Sequence, residues 1–155
     1  MLSSLRSLFR GPRPAGPPVS VRAFNATDRP ITEDAVSVEE GGWRIEAREK
    51  GSVRMFEVPE PGVESCVLTY RAQMRSEGVE HGAYLEMWCR LGARSDFFSK
   101  GLRDKLRGTT GWASYEIPFY LKKGQTPDLV KLNVAFEGRG RVWIRDVELL
   151  ATPVA

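Results

Sequence analysis

Residues 83–91, Ala-Tyr-Leu-Glu-Met-Trp-Cys-Arg-Leu, alternate without a break between two kinds of side chain. Ala83, Leu85, Met87, Cys89 and Leu91 are apolar, while Tyr84, Glu86, Trp88 and Arg90 carry a polar group or a ring edge. A period of two describes a strand with one face against a core. The opposite face then holds two aromatics, a carboxylate and a guanidinium in one row. A merely solvated face needs only Lys, Thr and Ser, so this row is the best candidate for a binding surface.

The same period recurs along the chain between Gly and Pro punctuation. Val36 and Val38 precede a Gly41-Gly42 turn, and Trp43 and Ile45 share one side of the next segment. Residues 53–58 end at Pro59-Glu-Pro-Gly62. In residues 66–74, Cys66, Leu68, Tyr70, Ala72 and Met74 alternate with Thr69, Arg71 and Gln73. A polar turn over 76–82 leads into 83–91, and 97–99 follows. After a turn at 108–111, Tyr115, Ile117 and Phe119 alternate again. Val130, Leu132, Val134 and Phe136 point inward and Lys131, Asn133 and Ala135 outward, before a Gly138–Gly140 turn and a last strand over 142–150. One short helical turn fits around 102–106. About eight short strands with Gly/Pro turns predict an all-β sandwich or barrel. Two facing antiparallel sheets are the expected form, since one sheet of that size leaves long edges.

A chain of 155 residues that is 41% apolar has room for one full core plus a tail. The net charge of +3 is misleading. No acid precedes Asp28, and Arg6, Arg10, Arg13 and Arg22 stand there; subtracting those four from +3 leaves −1 for the body. A near-neutral body lacks the basic field of a nucleic-acid binder. Cys66 and Cys89 fall on core-facing positions, where free cysteine acts as a small hydrophobe, and no spacing suggests zinc.

Residues 1–18 form a separate region. Leu2, Leu5, Leu8 and Phe9 at helical spacing, with Arg6 and Arg10 between them, make a short basic amphipathic segment over 1–10. A weak membrane-surface anchor, an organelle-type presequence and a disordered terminus all fit it. No secretory signal peptide or transmembrane run is evident, and the compartment is not written in the sequence. Pro12, Pro14, Pro17 and Pro18 make 11–18 a stiff, extended linker. The folded domain is expected over 19–152, behind a flexible N-terminal tail.

The last third narrows the fold. Gly108-Thr-Thr-Gly-Trp112, Tyr115-Glu-Ile-Pro-Phe119, the apolar strand over 128–136 and Gly140-Arg-Val-Trp-Ile-Arg-Asp-Val-Glu-Leu149 resemble the closing strands of galactose-binding-like jelly rolls. That superfamily includes many carbohydrate-binding modules and the complex I intermediate-associated proteins. The resemblance spans about residues 43–150 and implies a two-sheet antiparallel jelly-roll sandwich. Within it, residues 66–74 and 83–91 would face each other across the core. Trp112 would cap the core edge, and Arg145–Asp146 would form a bulge that flips the side-chain phase. Many relatives bind a structural calcium through an Asp-Asp pair whose first member is Arg145 here. A guanidinium repels a cation, so no metal is expected, and no cofactor either.

The chain lacks the parts of an enzyme. His81 is the only histidine, it stands in a polar segment, and no nucleophile elbow or Cys/His pairing accompanies it. Glu86 and Glu137 form no evident acid–base pair. The reading is a non-catalytic binding module, with carbohydrate implied by the resemblance. Rings stack on sugar C–H faces and polar side chains bond the hydroxyls. The candidate ligand residues are Tyr84, Glu86, Trp88 and Arg90, extended by Lys131 and Asn133. The same face also matches the composition of interface centres. An accessory protein-interaction subunit of a larger, membrane-associated assembly is therefore the alternative, with weak membrane contact through residues 1–10.

Overall fold

Period-two patterning and turn residues build nine strands: β1 (Val19–Phe24), β2 (Val36–Glu39), β3 (Gly42–Ala47), β4 (Gly51–Pro59), β5 (Cys66–Arg90), β6 (Asp96–Lys100), β7 (Leu106–Leu121), β8 (Leu129–Phe136) and β9 (Gly140–Pro153). The computed structural model describes residues 12–92 and 95–155, so the amphipathic segment 1–10 lies outside the described residues. Among those described, no element is a helix.

All pairings are antiparallel, and the strands are joined through β5, which is 25 residues long. β7 and β9 flank its first half, whereas β8 and β6 flank residues 83–90. One layer is therefore β2-β3-β9-β5-β7, with β1 also on β9, and the other is β4-β8-β5-β6. The layers meet through side chains. Phe24 of β1 stacks on Phe56 of β4 with ring centres 4.1 Å apart, and Trp43 of β3 meets Phe56 edge-on at 5.0 Å. The fully buried Tyr70 of the first layer donates its hydroxyl to the Asn133 carbonyl of the second, at 3.2 Å. The result is the expected jelly-roll sandwich, curled from one continuous hydrogen-bonded sheet.

The predicted core positions are occupied as the alternation requires. Leu68, Tyr70, Met74, Ala83, Met87, Cys89, Val130, Leu132 and Val134 are all buried, and Cys66 and Cys89 are free thiols. Glu39 and Gly42 close a hairpin over Glu40 and Gly41, both with positive φ (56° and 78°), a two-residue turn that matches strand twist. Gly42 then runs so close to β9 that a Cβ there would lie 2.1 Å from the Ile144 carbonyl oxygen. The bulge at Arg145–Asp146 is present. Asp146 has φ 54°, and the β5 partner shifts from Arg145 to Glu148 as β5 steps from Gln73 to Arg71. Val142 and Ile144 before it and Val147 and Leu149 after it all reach the core, so the phase does flip.

Four local expectations need correction. Residues 66–74 and 83–91 are not separate strands, because the expected turn at 76–82 is strand with an irregular register that accommodates Gly78, His81 and Gly82 at positive φ. The expected turn at 108–111 lies inside β7, where Gly108 (φ 63°) answers that irregularity on the partner strand. Residues 102–104 form a turn rather than helix, and Leu106 already pairs with Ala83. Trp112 does not cap the core. It sits half-buried on the outer face, under the guanidinium of Arg145 at 3.9 Å.

Where it is described, the proline-rich linker is tied to the C-terminal segment. Ala15 N–H donates to the Pro153 carbonyl at 2.7 Å, and Ala155 N–H to that of Arg13 at 3.1 Å.

Candidate functional site

Register across the second layer assembles the candidate face. Arg54 of β4 lies opposite Asn133 of β8, Asn133 opposite Glu86 of β5, and Glu86 opposite Lys100 of β6. The next row reads Glu57, Lys131, Trp88 and Phe98, and beyond it Arg90 faces Asp96. A bulge in β4 between Arg54 and Phe56 sends both Met55 and Phe56 into the core and returns Glu57 to the outer face. All six residues singled out from the sequence, Tyr84, Glu86, Trp88, Arg90, Lys131 and Asn133, thus fall on one side of one layer.

Their exposure differs from a uniformly open row. Trp88, Arg90 and Lys131 are half-buried, whereas Tyr84, Glu86 and Asn133 are buried. Lys105 covers Tyr84: its ammonium lies 5.9 Å from the ring centre while bonding both oxygens of Glu137. Burial raises the pKa of the Tyr84 hydroxyl, and the Glu86 and Glu137 carboxylates add to the effect.

Glu86 is only 4% exposed and would be costly to bury alone. Its Oε1 accepts from Ser52 Oγ at 2.9 Å and Asn133 Nδ2 at 3.0 Å, and Lys100 Nζ stands 3.8 Å from Oε2. The amide that supports Glu86 keeps one group unused: the buried Asn133 Oδ1 has no hydrogen-bond partner. Ser52, Glu86 and Asn133, with Arg54, Trp88, Asp96 and Lys131, line a shallow depression of about 370 Å³.

An aromatic pair flanks it. The Trp88 and Phe98 rings lie 5.1 Å apart at 48°, Phe98 is 53% exposed, and Lys100 Nζ is 4.7 Å from the Phe98 ring centre. Arg90 is held aside by Asp128, with Nε to Oδ1 at 2.9 Å, and its guanidinium lowers the Asp128 pKa below the usual carboxylate range. Sequence reasoning missed Ser52, Arg54, Phe98 and Lys100. Adjacent Phe97 and Phe98 signalled that one ring leaves the core; in the structure both are exposed. Nothing in the sequence ties Ser52 to Glu86, because that contact depends on β4 lying beside β8.

The acid–base constellation of an enzyme is not assembled by the residues considered for it. His81 is exposed, and its backbone carbonyl accepts from Arg107 Nε at 3.3 Å. Glu137 is neutralised by Lys105, while Glu86 is committed to Ser52 and Asn133. No group of three His, Cys, Asp or Glu side chains suited to a metal occurs among the described residues.

No protein-family model matches the chain, and no curated protein sequence does either. Solved structures do. The chain is similar to a CBM4 structure (CBM, carbohydrate-binding module) with a TM-score of 0.55 and 10% identity, over 77% of this chain and 76% of that one. It is similar to the CBM22-1 xylan-binding domain of Paenibacillus barcinonensis Xyn10C, with a TM-score of 0.52 and 8% identity, over 94% and 100%. The Stig cyclase Fisc from Fischerella sp. TAU, in complex with an indole compound, matches with a TM-score of 0.50 and 13% identity, over 94% and 82%. The same architecture therefore also carries a cyclase, and the fold by itself does not decide between binding and catalysis. The chain has a jelly-roll β-sandwich fold like that of the CBM4 and CBM22-1 structures.

Proposed function

We propose that the chain is a non-catalytic binding module that takes a carbohydrate on the outer face of the β4-β8-β5-β6 layer. The observation that carries this reading is the half-exposed Trp88–Phe98 pair beside a pinned Glu86–Asn133 pair whose Oδ1 is unpaired. A sugar ring offers both complements: apolar C–H faces for the aromatics and hydroxyl donors for a free carbonyl. Arg54 stands opposite Asn133, is exposed and pairs with Glu57, so its guanidinium borders the same depression. Lys131 and Arg90 border the same surface. The fold shared with CBM4 and a xylan-binding domain supports the ligand class. The non-catalytic reading is supported by Glu86, whose oxygens are already engaged by donors, which suits a positioned acceptor.

Binding to a panel of immobilised glycans and polysaccharides tests the proposal. At least one should be retained by the full chain, and Trp88→Ala should weaken it about tenfold or more while near-ultraviolet circular dichroism stays native. Silence on every glycan, or binding indifferent to Trp88→Ala and Asn133→Ala, overturns it. A second reading, an accessory protein-interaction role, is favoured by the exposure of Phe97, Phe98 and Leu102. A protein partner that co-purifies with the chain and is lost in Trp88→Ala, on a glycan-silent background, would establish it instead. The membrane contact proposed for residues 1–10 requires the full chain to float with anionic vesicles and a form starting at Val19 to remain behind.

A further inference from the structure

We propose that the outer edge of β6 pairs with the same edge of a second copy of this chain, forming a two-fold symmetric dimer. Among the described residues, β6 hydrogen-bonds to β5 and to no other strand. That ladder is bracketed by Leu91 N–H donating to the Ser95 carbonyl and Gly101 N–H donating to the Leu85 carbonyl. Bonded positions recur at every second residue of an antiparallel pair, so Phe97 and Ser99 also bond inward. Asp96, Phe98 and Lys100 therefore direct their backbone N–H and C=O groups away from β5. Such a row is a template for another strand unless it is blocked. Here no proline blocks it, and Phe97 and Phe98 stand 46% and 53% exposed.

The occupant follows from the order of the edge residues. Asp96-Phe97-Phe98-Ser99-Lys100 is complementary to itself when reversed. Antiparallel pairing centred on Phe98 sets the two Phe98 side chains opposite each other and places each Asp96 opposite a Lys100 of the other copy. These are the three positions whose backbone groups point outward, so ladder and charge agree on one register. A slip of two residues in either direction sets a charge against Phe98 and breaks both ion pairs. Asp96 forms no ion pair within the described residues, and Lys100 Nζ stands 3.8 Å from Glu86 Oε2 and 4.7 Å from the Phe98 ring centre. The exposed Asp96 is thus open to a partner's lysine. The contact is isologous, as a closed two-fold requires.

Five residues from each copy bury far less than the roughly 1,600 Å² of a standard interface. The dimer is accordingly weak, with a Kd of about 10 µM to about 1 mM. Its outer faces join into one eight-stranded sheet, and the inference does not depend on what those faces bind.

Sedimentation equilibrium of the full chain from about 1 µM to about 1 mM should show reversible dimerisation. D96K opposes two lysines in each symmetric pair and K100D opposes two aspartates, so each should weaken the dimer about tenfold. The double exchange D96K/K100D restores complementary charges and should return the Kd to within about threefold of the wild type. Circular dichroism of all three variants checks the fold. A monomer throughout the concentration range overturns the proposal. So does a dimer indifferent to the single changes, or one that the double exchange fails to restore.

Discussion

The guanidinium carbon of Arg75 lies 3.6 Å from the centre of the Trp143 ring, its direct cross-strand neighbour between β5 and β9. It is also 5.8 Å from the Trp112 ring centre, and Arg145 covers Trp112 at 3.9 Å. Acceptors orient this ladder: Glu40 binds the Arg75 guanidinium through both oxygens, Gln73 takes Arg145 Nε at 3.0 Å, and Glu39 takes the Trp143 indole N–H at 3.0 Å. Four side chains that would otherwise be loose on the outer face are held as one stack, away from the candidate site.

Arg75→Ala should therefore destabilise the fold by about 1–2 kcal/mol in urea unfolding. Arg75→Lys should recover only part of that, because an ammonium keeps the charge but loses the flat surface that stacks on the indole. Equal stability of wild type and Arg75→Ala would show the stack to be energetically idle.

Acid should weaken the fold through named pairs. The hydrogen bond from Arg75 lowers the Glu40 pKa from its usual 4.5, and the Arg90 guanidinium lowers that of Asp128 from its usual 3.8. A hydrogen bond from Ser20, then the Arg71 guanidinium, does the same for Glu148. Carboxylates lowered in the folded state contribute stability that is fully present above their unfolded pKa and lost as pH falls through the folded value. The melting temperature should hold near neutrality and decline once pH drops below about 4.5. Glu40→Gln should flatten that decline, and a slope unchanged by the substitution would remove Glu40 as a contributor.

Asp146 has a left-handed backbone (φ 54°) at the point where β9 changes phase. Asp tolerates that conformation and a β-branched residue does not. Asp146→Val should cost about 1–2 kcal/mol, whereas Asp146→Gly should be nearly neutral. Similar melting temperatures for the two variants would mean that the bulge relaxes instead of holding its shape.

The two thiols should be silent in the folded protein. Burial raises the Cys66 pKa, and burial together with nearby Cys66 pushes Cys89 up to about 12. Because the thiolate is the reactive form, a colorimetric thiol reagent at neutral pH should report no reactive cysteine before denaturant and two after. Rapid labelling of the native chain would contradict the buried assignment.

Strand identity and core membership were legible because alternation is local. The inward set of β8 and the phase flip at Asp146 both follow from neighbours in sequence. What could not be read was continuity and pairing. Gly78, Gly82 and Gly108 look like turns one at a time, yet they stand on adjacent strands and bend together, leaving β5 unbroken. Trp112 reads as core from its composition, but its phase in β7 sends it outward beside Ile117 and Phe119, which pack inward. At the candidate face, period two placed Trp88 and Glu86 on one side. The burial of Glu86 depends on Ser52 and Lys100, which arrive from strands on either flank.

The span of β5 bears on how the chain folds. Every later strand, β6 to β9, bonds to β5, so each must wait for that one segment to be placed. Neither layer can be completed ahead of the other as an independent intermediate, since both ladders are registered on the same backbone. The chain should consequently fold slowly and in a single concerted step, and damage within residues 66–90 should abolish both halves at once.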